Sequence, residues 1–165
     1  MENTEVIIRR ASTEDKSALQ NLLQFYLYDF SVLIDADVDK NGLYTYPYQD
    51  LYWTEPDRHP FPVMVNGNLA GFALVQEISE ENGIPYRIIA EFFVMQKYRR
   101  RGVGRLSAIR IFEMFPGKWE VHQIQENVPA QAFWRNTIGE YTNGDFKERR
   151  NEDGLFQVFQ TKTAP

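Results

Sequence analysis

Residues 92–106 read Phe92-Phe93-Val94-Met95-Gln96-Lys97-Tyr98-Arg99-Arg100-Arg101-Gly102-Val103-Gly104-Arg105-Leu106. The stretch begins as an apolar strand, continues through a basic turn that contains two glycines, and ends as the start of an amphipathic helix. A helix N-terminus presents free N–H groups and the positive end of the helix dipole, and glycine lets a phosphate approach the backbone. The stretch therefore predicts a pyrophosphate site between a strand and a helix.

Two better-known phosphate motifs fit this turn poorly. A P-loop has Gly-Lys-Ser or Gly-Lys-Thr after the turn, whereas this chain has Gly104-Arg105-Leu106. A dinucleotide-binding turn needs a third glycine, for which Ser107 and Ala108 are poor substitutes. The remaining alternative is a solvated charge run beside a lone Gly-x-Gly, and the flanking strand and helix favour the phosphate site over it.

Upstream, the chain begins with a strand and a helix. Residues 6–8 form a short β-branched run, and Ser12 and Asp15 have the spacing of a capping box before an amphipathic helix. Residues 29–62 hold four prolines and many acidic and aromatic residues, which predicts a loop-rich insert with at most short helices. The aromatic residues are unlike a disordered linker, so we expect the insert to belong to a single domain over residues 1–165.

The middle of the chain predicts three successive antiparallel strands. Asn66-Gly67 lies between apolar runs at 61–65 and 69–76, and this dipeptide favours a two-residue hairpin turn. A second turn at 81–83 precedes a strand over residues 86–95, which are rich in Ile, Phe and Val.

Downstream of the basic turn, the pattern predicts a helix, a strand, a second helix and a hairpin. The first helix ends before Pro116-Gly117, and a strand follows over 119–124. A second helix is expected from Pro129 to about Thr137, and a closing hairpin around 152–154.

Composition excludes several classes of chemistry. The chain has no cysteine and two histidines, so thiol nucleophiles and disulfides are excluded and we expect no metal. Its 18 basic and 23 acidic residues give a net charge of −5, which disfavours nucleic-acid binding. We expect neither a membrane span nor a secretory signal, and therefore a cytoplasmic protein.

Two segments resemble one known family. Residues 99–104 resemble the GNAT signature, which is Arg or Gln, two residues, Gly, one residue, and Gly or Ala. Residues 127–134 resemble the family's Asn-x-x-Ala-x-x-Phe-Tyr segment. The order of elements agrees from Val6 to about Phe159, so the resemblance to the GNAT superfamily of N-acetyltransferases, in an uncharacterised bacterial-type branch, covers nearly the whole chain.

The resemblance implies a fold and a cofactor. It implies an α/β (α+β) fold with a central mixed, mostly antiparallel twisted sheet of six to seven strands, flanked by about four helices. It implies acetyl-CoA as co-substrate, its pyrophosphate on the basic turn and its pantetheine along the strand before the turn. The residues expected at the cofactor are Phe93, Val94, Met95, Arg99, Arg100, Arg101, Gly102, Val103, Gly104, Arg105, Asn127, Phe133 and Trp134.

Three residues are candidates for proton transfer. Glu91 interrupts an apolar strand, where strand alternation places it with Ile89 and Phe93, and we expect it to be either a general base or an edge-facing carboxylate. His122 is the second choice for the base. Many members have a tyrosine that protonates the departing thiolate where this chain has Trp134. The candidate acid is therefore Tyr141 or a tyrosine of the aromatic insert, and the alternative is a thiolate that leaves without a dedicated acid.

The resemblance implies direct transfer of the acetyl group to a primary amine of a small molecule or a peptide. Residues 29–57 carry seven acidic residues against one lysine, interleaved with aromatic residues, which favours a cationic acceptor. A homodimer contact through the same aromatic residues stays open. The alternative function is a non-catalytic acyl-CoA-binding or sensory module, which the tryptophan at the tyrosine position favours.

Overall fold

A computed structural model of the chain describes residues 3–162 and contains one seven-stranded sheet. The strands are β1 (Val6–Ile8), β2 (Arg58–Val65), β3 (Asn68–Ile78), β4 (Tyr86–Val94), β5 (Lys118–Gln123), β6 (Lys147–Asn151) and β7 (Gly154–Gln160). Their order across the sheet is β1-β2-β3-β4-β5-β7-β6. Only β4 and β5 pair in parallel among these neighbours, so the sheet is mixed and mostly antiparallel.

Four α-helices flank the sheet. They are α1 (Lys16–Ile34), α2 (Leu51–Thr54), α3 (Val103–Met114) and α4 (Val128–Thr142). The architecture confirms the fold class that the sequence predicts. Within residues 3–162, no helix is long and apolar enough to cross a membrane.

Two apolar clusters hold the helices to the sheet. Helices α3 and α4 cover one face, where Phe112 and Ile138 pack with Phe61. Helices α1 and α2 cover the other face, where Leu23 packs with Phe72. Each fully buried side chain of this kind contributes about 1.5–3 kcal/mol through the area it removes from water, so these clusters fix both helix layers.

Helix α1 is longer than the sequence pattern predicts. The helix begins after the expected capping box, where the Ser12 N–H donates to Asp15 Oδ2 at 2.8 Å, and ends at Asp35 with φ of 52°. The expected insert therefore has wrong limits, because residues 29–34 are helical and β2 already starts at Arg58. Phe30 and Leu33 continue the inward-facing stripe of α1, so tertiary packing extends the helix past the acidic residue at position 29.

The predicted hairpin between β2 and β3 is confirmed. Asn66 and Gly67 have φ of 49° and 80°, which are the two left-handed positions that a type I′ turn requires. The closing hairpin between β6 and β7 is confirmed as well. So is the strand–helix–strand order around the basic turn, which is β4, α3 and β5. Helix α4 extends beyond the expected end at Thr137, to Thr142.

Strand β4 is paired along one edge and mostly open along the other. It pairs with β3 from Tyr86 to Val94, but with β5 only over Tyr86 to Ile88. Within the part of the chain that the structure describes, the remaining backbone of β4 has no strand partner on the β5 side. Since the two strands are parallel neighbours that separate, they enclose a V-shaped opening.

A β-bulge in β4 turns Glu91 to the α1 face. Leu74 pairs with Glu91 and Val75 with Ile89, so Ala90 is an extra residue in β4. Ile89 packs in the cluster under α3 and α4, whereas Glu91 bonds to a side chain of α1. The expectation that Glu91 and Ile89 share a face is therefore wrong, because the bulge shifts the alternation by one residue.

The closest approach of β3 to β4 is at Gly71, and we predict that it tolerates no side chain. A Cβ there would lie 2.0 Å from the Phe93 carbonyl oxygen, so Gly71→Ala must separate the strands and should lower the free energy of unfolding by about 3 kcal/mol. Gly67→Ala is the control, because a Cβ at Gly67 meets nothing within 4 Å and costs only its left-handed backbone, about 1 kcal/mol. Urea unfolding measures both, and equal losses would contradict the prediction.

Candidate active site

A cavity of about 680 Å³ opens beside the end of β4. It is bounded by α1, by residues 92–94 of β4, by the basic turn, and by the N-terminal halves of α3 and α4. Three segments that are far apart in sequence, 26–33, 92–105 and 127–137, therefore meet at the position where the motif predicts a ligand.

The backbone of the basic turn curls so that the first N–H groups of α3 face outward from the helix end. Arg100 and Gly102 have φ of 61° and 77°, and Tyr98 anchors the preceding turn in the core. Gly102 is the N-cap of α3 and makes no side-chain cap, so the N–H groups of residues 103–105 have no acceptor within the helix. These donors and the helix dipole favour an anion at the turn.

The arginines of the turn do not all present their charge to a ligand. Arg99 donates from Nε to the Val94 carbonyl at 2.6 Å, and its guanidinium pairs with Asp29 at 2.7 Å. Arg105 pairs with Glu140 at 2.8 Å, on the surface. Arg100 and Arg101 are exposed, and over residues 3–162 neither side chain makes an ion pair or hydrogen bond. The charge available to an anion therefore comes mainly from these two residues.

An aromatic layer closes the cavity beneath the turn. The rings of Phe92 and Phe133 stack with centroids 5.8 Å apart, and Trp134 meets Phe92 edge-on at 5.0 Å. A Cβ on Gly104 would lie 3.3 Å from the Phe133 ring, so the absence of a side chain at Gly104 keeps the cavity floor open. Asn127 is the N-cap of α4, and its Oδ1 accepts from the Ala130 N–H at 3.3 Å. Its amide nitrogen is the donor that remains for a ligand.

Glu91 lies behind the cavity wall, in an aromatic environment on the α1 side. The Tyr26 hydroxyl donates to Glu91 Oε2. Burial raises the pKa of Glu91 to about 7, and hydrogen bonding by Tyr26 and Tyr46 opposes that rise. A carboxyl group with this pKa is half ionised near neutral pH, which suits a general base.

The other two candidates for proton transfer lie elsewhere. His122 is exposed, stacks on Phe156 with centroids 4.3 Å apart, and its Nε2 contacts the Asp153 carbonyl at 2.7 Å. Tyr141 packs against Phe112 at 5.5 Å in the core beneath α4. Burial raises the pKa of Tyr141. The structure thus brings neither residue to the cavity and does not bring them together with Glu91.

Most residues expected at the cofactor line the cavity. Met95, Arg101 and Val103 do not line it. Met95 donates its N–H to the Ala70 carbonyl at 2.8 Å, so that group belongs to the β3–β4 ladder. Val103 is a core residue. The expected residues that line the cavity are Phe93, Val94, Arg99, Arg100, Gly102, Gly104, Arg105, Asn127, Phe133 and Trp134.

The wall that α1 contributes was not predicted from the sequence. Tyr26, Asp29, Phe30 and Leu33 line the cavity, and their spacing of three and four residues is that of one helix face. This signal was available but lay across the expected start of the insert. Of the acidic residues in 29–57, Asp29 alone lines the cavity, and Arg99 already pairs with it.

No metal site competes with this cavity in the described residues. Over residues 3–162, no three or more histidine, aspartate or glutamate side chains are grouped so as to hold a metal ion.

Solved structures with a similar fold include several acetyltransferases. A GNAT-family acetyltransferase from Staphylococcus aureus has a TM-score of 0.63 at 16% identity, covering 96% of this chain and all (100%) of that one. The PaiA N-acetyltransferase of Thermoplasma acidophilum, solved with coenzyme A, has a TM-score of 0.58 at 13% identity and coverage of 94% and 99%. An aminoglycoside acetyltransferase from an uncultured soil metagenomic sample, solved with sisomicin, has a TM-score of 0.60 at 17% identity. The match covers 80% of this chain and 86% of that one.

At these identities the likeness shows the fold alone, and no curated protein matches the chain in sequence. The family assignment comes from the sequence profile of the Acetyltransferase (GNAT) family, which matches residues 19–139. That match spans most of the chain and includes most of α1, β4, the basic turn and the start of α4. The chain belongs to the GNAT acetyltransferase family.

Proposed function

We propose that the protein transfers the acetyl group of acetyl-CoA to the nitrogen of a primary amine, by direct attack within a ternary complex. The observation that carries the proposal is the edge of β4 from Ile89 to Val94, which within residues 3–162 has no strand partner on the β5 side and whose residues 92–94 line the cavity. The pantetheine arm of acetyl-CoA carries amide groups and can hydrogen-bond to such an edge as an added strand would. The pyrophosphate of acetyl-CoA would then lie at the basic turn.

The charge of the turn supports this assignment. A pyrophosphate would accept from the N–H groups of residues 103–105 and would face Arg100 and Arg101. Gly104 would allow its close approach, since a side chain there would crowd the Phe133 ring. The Asn127 amide would donate to the arm from the opposite side.

The reaction needs little covalent participation by the protein. The amine nitrogen forms a bond to the thioester carbonyl carbon, and the carbon–sulfur bond breaks as the thiolate leaves with its electron pair. Holding the two reactants in one cavity supplies much of the rate, because a bimolecular step becomes effectively unimolecular. The chain has no cysteine, which fits a reaction without an acetylated thiol on the enzyme.

Glu91 is the general base in this proposal. An ammonium acceptor must lose a proton before it attacks, and a carboxylate whose pKa lies near 7 accepts protons at neutral pH. We propose that the thiolate takes its proton from water, because the Trp134 indole is a poor donor and Tyr141 packs in the core.

The acceptor is an amine whose nonreacting part lies against the α1 wall. That wall is aromatic and apolar apart from Asp29, which Arg99 neutralises. The aminoglycoside acetyltransferase among the similar structures supports a small-molecule amine as the first class to test. A non-catalytic acyl-CoA-binding module remains the second candidate, favoured by the tryptophan at position 134.

The pyrophosphate assignment predicts that Gly104→Glu abolishes acetyl-CoA binding. The new carboxylate would occupy the anion site, and an acidic residue in the first turn of a helix does not disfavour folding. Asn21→Glu adds the same charge at an exposed position of α1 and should leave binding unchanged. Calorimetric titration measures both, and unchanged affinity in a folded Gly104→Glu protein would remove the proposal.

The base assignment predicts that Glu91→Gln lowers turnover by about a hundredfold or more while acetyl-CoA affinity stays near that of the parent. In the parent, kcat/KM should rise with pH through about 7, since the ionised form of Glu91 is the active one. Release of CoA thiol and product mass measure turnover. A pH profile of Glu91→Gln equal to that of the parent would show that Glu91 is structural.

The raised pKa of Glu91 also predicts a pH dependence of stability. The folded state holds the proton to about pH 7, whereas an unfolded glutamic acid releases it near 4.5, so the free energy of unfolding falls as pH rises through this window. Between these two pH values, Glu91 should lower the free energy of unfolding by up to about 3 kcal/mol. This fall should be absent in Glu91→Gln and present in Glu81→Gln, which changes an exposed glutamate. Urea unfolding of both variants at the two pH values measures the difference.

A further inference from the structure

Tyr26 is the polar group that links the cavity to Glu91. Its side chain lines the cavity wall on α1, and its hydroxyl donates to Glu91 Oε2. Glu91 itself is not among the residues 3–162 that form the cavity lining. A substrate in the cavity therefore meets the phenol of Tyr26 before it meets the carboxylate.

The ring of Tyr26 is held in place by aromatic neighbours. It stacks on Phe30 with centroids 5.6 Å apart, and it meets Phe72 and Phe93 edge-on, each at 5.9 Å. Contacts on three sides fix the ring, which lines the cavity while its hydroxyl bonds to Glu91. Such a group needs no rearrangement before it passes on a proton.

On this geometry, and resting on the proposed acetyl transfer, we propose that Tyr26 relays the proton from the acceptor amine to Glu91. An ammonium N–H proton moves to the Tyr26 oxygen as the Tyr26 proton moves to the Glu91 carboxylate, and the freed nitrogen lone pair then bonds to the carbonyl carbon. The carbon–sulfur bond breaks, the nitrogen gives its second proton to water, and the thiolate takes a proton from water. Glu91 returns its proton to solvent along the same path, so both groups are restored.

The ionisation behaviour of Tyr26 suits a relay rather than a base. Burial and the neighbouring Glu91 carboxylate raise the pKa of Tyr26 well above its ordinary value. The phenol therefore stays neutral and can pass a proton only by accepting one as it gives one away. The charge resides on Glu91, and Tyr26 supplies the contact with the substrate.

Three phenols from different segments lie around Glu91. Helix α1 contributes Tyr26 and the segment before α2 contributes Tyr46, which both lower the pKa of Glu91, while α2 contributes Tyr52, whose own pKa is raised by burial and by the Glu91 carboxylate. Arg58 of β2 lies over the Tyr52 ring at 5.3 Å. On β3, the residue opposite Glu91 is the apolar Leu74. Tyr46 lowers the pKa of Glu91 as Tyr26 does, but Tyr46 does not line the cavity within residues 3–162.

Tyr46 thus provides a matched control for Tyr26. Each of Tyr26→Phe and Tyr46→Phe removes one phenol that stabilises the carboxylate, so each should raise the pKa of Glu91 and move the rise of kcat/KM to higher pH. Only Tyr26→Phe interrupts the path from the cavity. We expect Tyr26→Phe to lower kcat by about a hundredfold with acetyl-CoA affinity retained, and Tyr46→Phe to lower kcat by less than about tenfold at high pH.

The double variant Tyr26→Phe/Glu91→Gln adds a second readout. Two residues of one relay are lost together, so the double variant should be no slower than the slower single variant, within about twofold. Independent roles would instead multiply the two losses. Thermal unfolding of each variant shows whether the phenylalanine ring keeps the packing, and a fold defect in Tyr26→Phe would lower acetyl-CoA affinity as well as kcat.

The assay follows CoA thiol release and product mass with spermidine, tobramycin, phenethylamine and an unblocked dipeptide, from about pH 5 to about pH 9. Turnover by the parent with the losses described supports the relay. Equal losses of kcat in Tyr26→Phe and Tyr46→Phe, or multiplied losses in the double variant, would overturn the relay and leave acetyl transfer in place. No turnover by the parent with any of the amines would count against the proposed function itself.

Discussion

Beyond Ile88, β4 pairs with a strand along its β3 edge alone within residues 3–162, and the position of the whole candidate site depends on this constraint. Strand β5 pairs with β7 along its other edge, from Lys118 to Gln123. The opening is lined on the α3 and α4 side by aromatic rings, with Trp134 meeting Phe92 and Phe133 at 5.0 and 4.9 Å. Trp134 therefore has a packing role that accounts for its size without any proton transfer, since a smaller ring would leave the separated strands less well supported.

The Glu91 carboxyl group lies in an aromatic pocket, where ionisation is costly. Burial disfavours the charged form of Glu91, and the bulge at Ala90 is what turns this side chain to the α1 face. Phenols are suited to the environment because their rings pack with apolar neighbours while their hydroxyls bond to the carboxylate. Tyr26 satisfies both requirements. The balance between burial and hydrogen bonding sets a pKa near 7 without a charged partner, and a cation there would have held the carboxyl ionised at all pH values of interest.

Local signals in the sequence were sufficient for the turns. The Asn66-Gly67 hairpin and the turn at Gly102 follow from left-handed backbone positions that the residue types themselves favour. Contacts between distant segments were not accessible in this way: Tyr26 meets Glu91 across 65 residues, and Asp29 meets Arg99 across 70. The bulge also escaped prediction, because an extra residue in an apolar strand changes the alternation without changing the composition. Acids between prolines and tyrosines are typical of a loop, while packing of α1 on β3 and β4 kept Asp29 helical.

The pairing of Arg99 with Asp29 changes what each end of the cavity offers to a ligand. Arg99 uses its donors on the Val94 carbonyl and on Asp29, so it ties α1 to the end of β4 rather than meeting an anion. The same bond neutralises the one carboxylate of residues 29–57 that reaches the cavity. An anion at the turn would then meet Arg100 and helix N–H groups, whereas an acceptor at α1 would meet rings and Leu33. Under the proposed function, binding at α1 would therefore remove apolar surface from water, and the positive charge of the amine would matter where Tyr26 and Glu91 receive its proton.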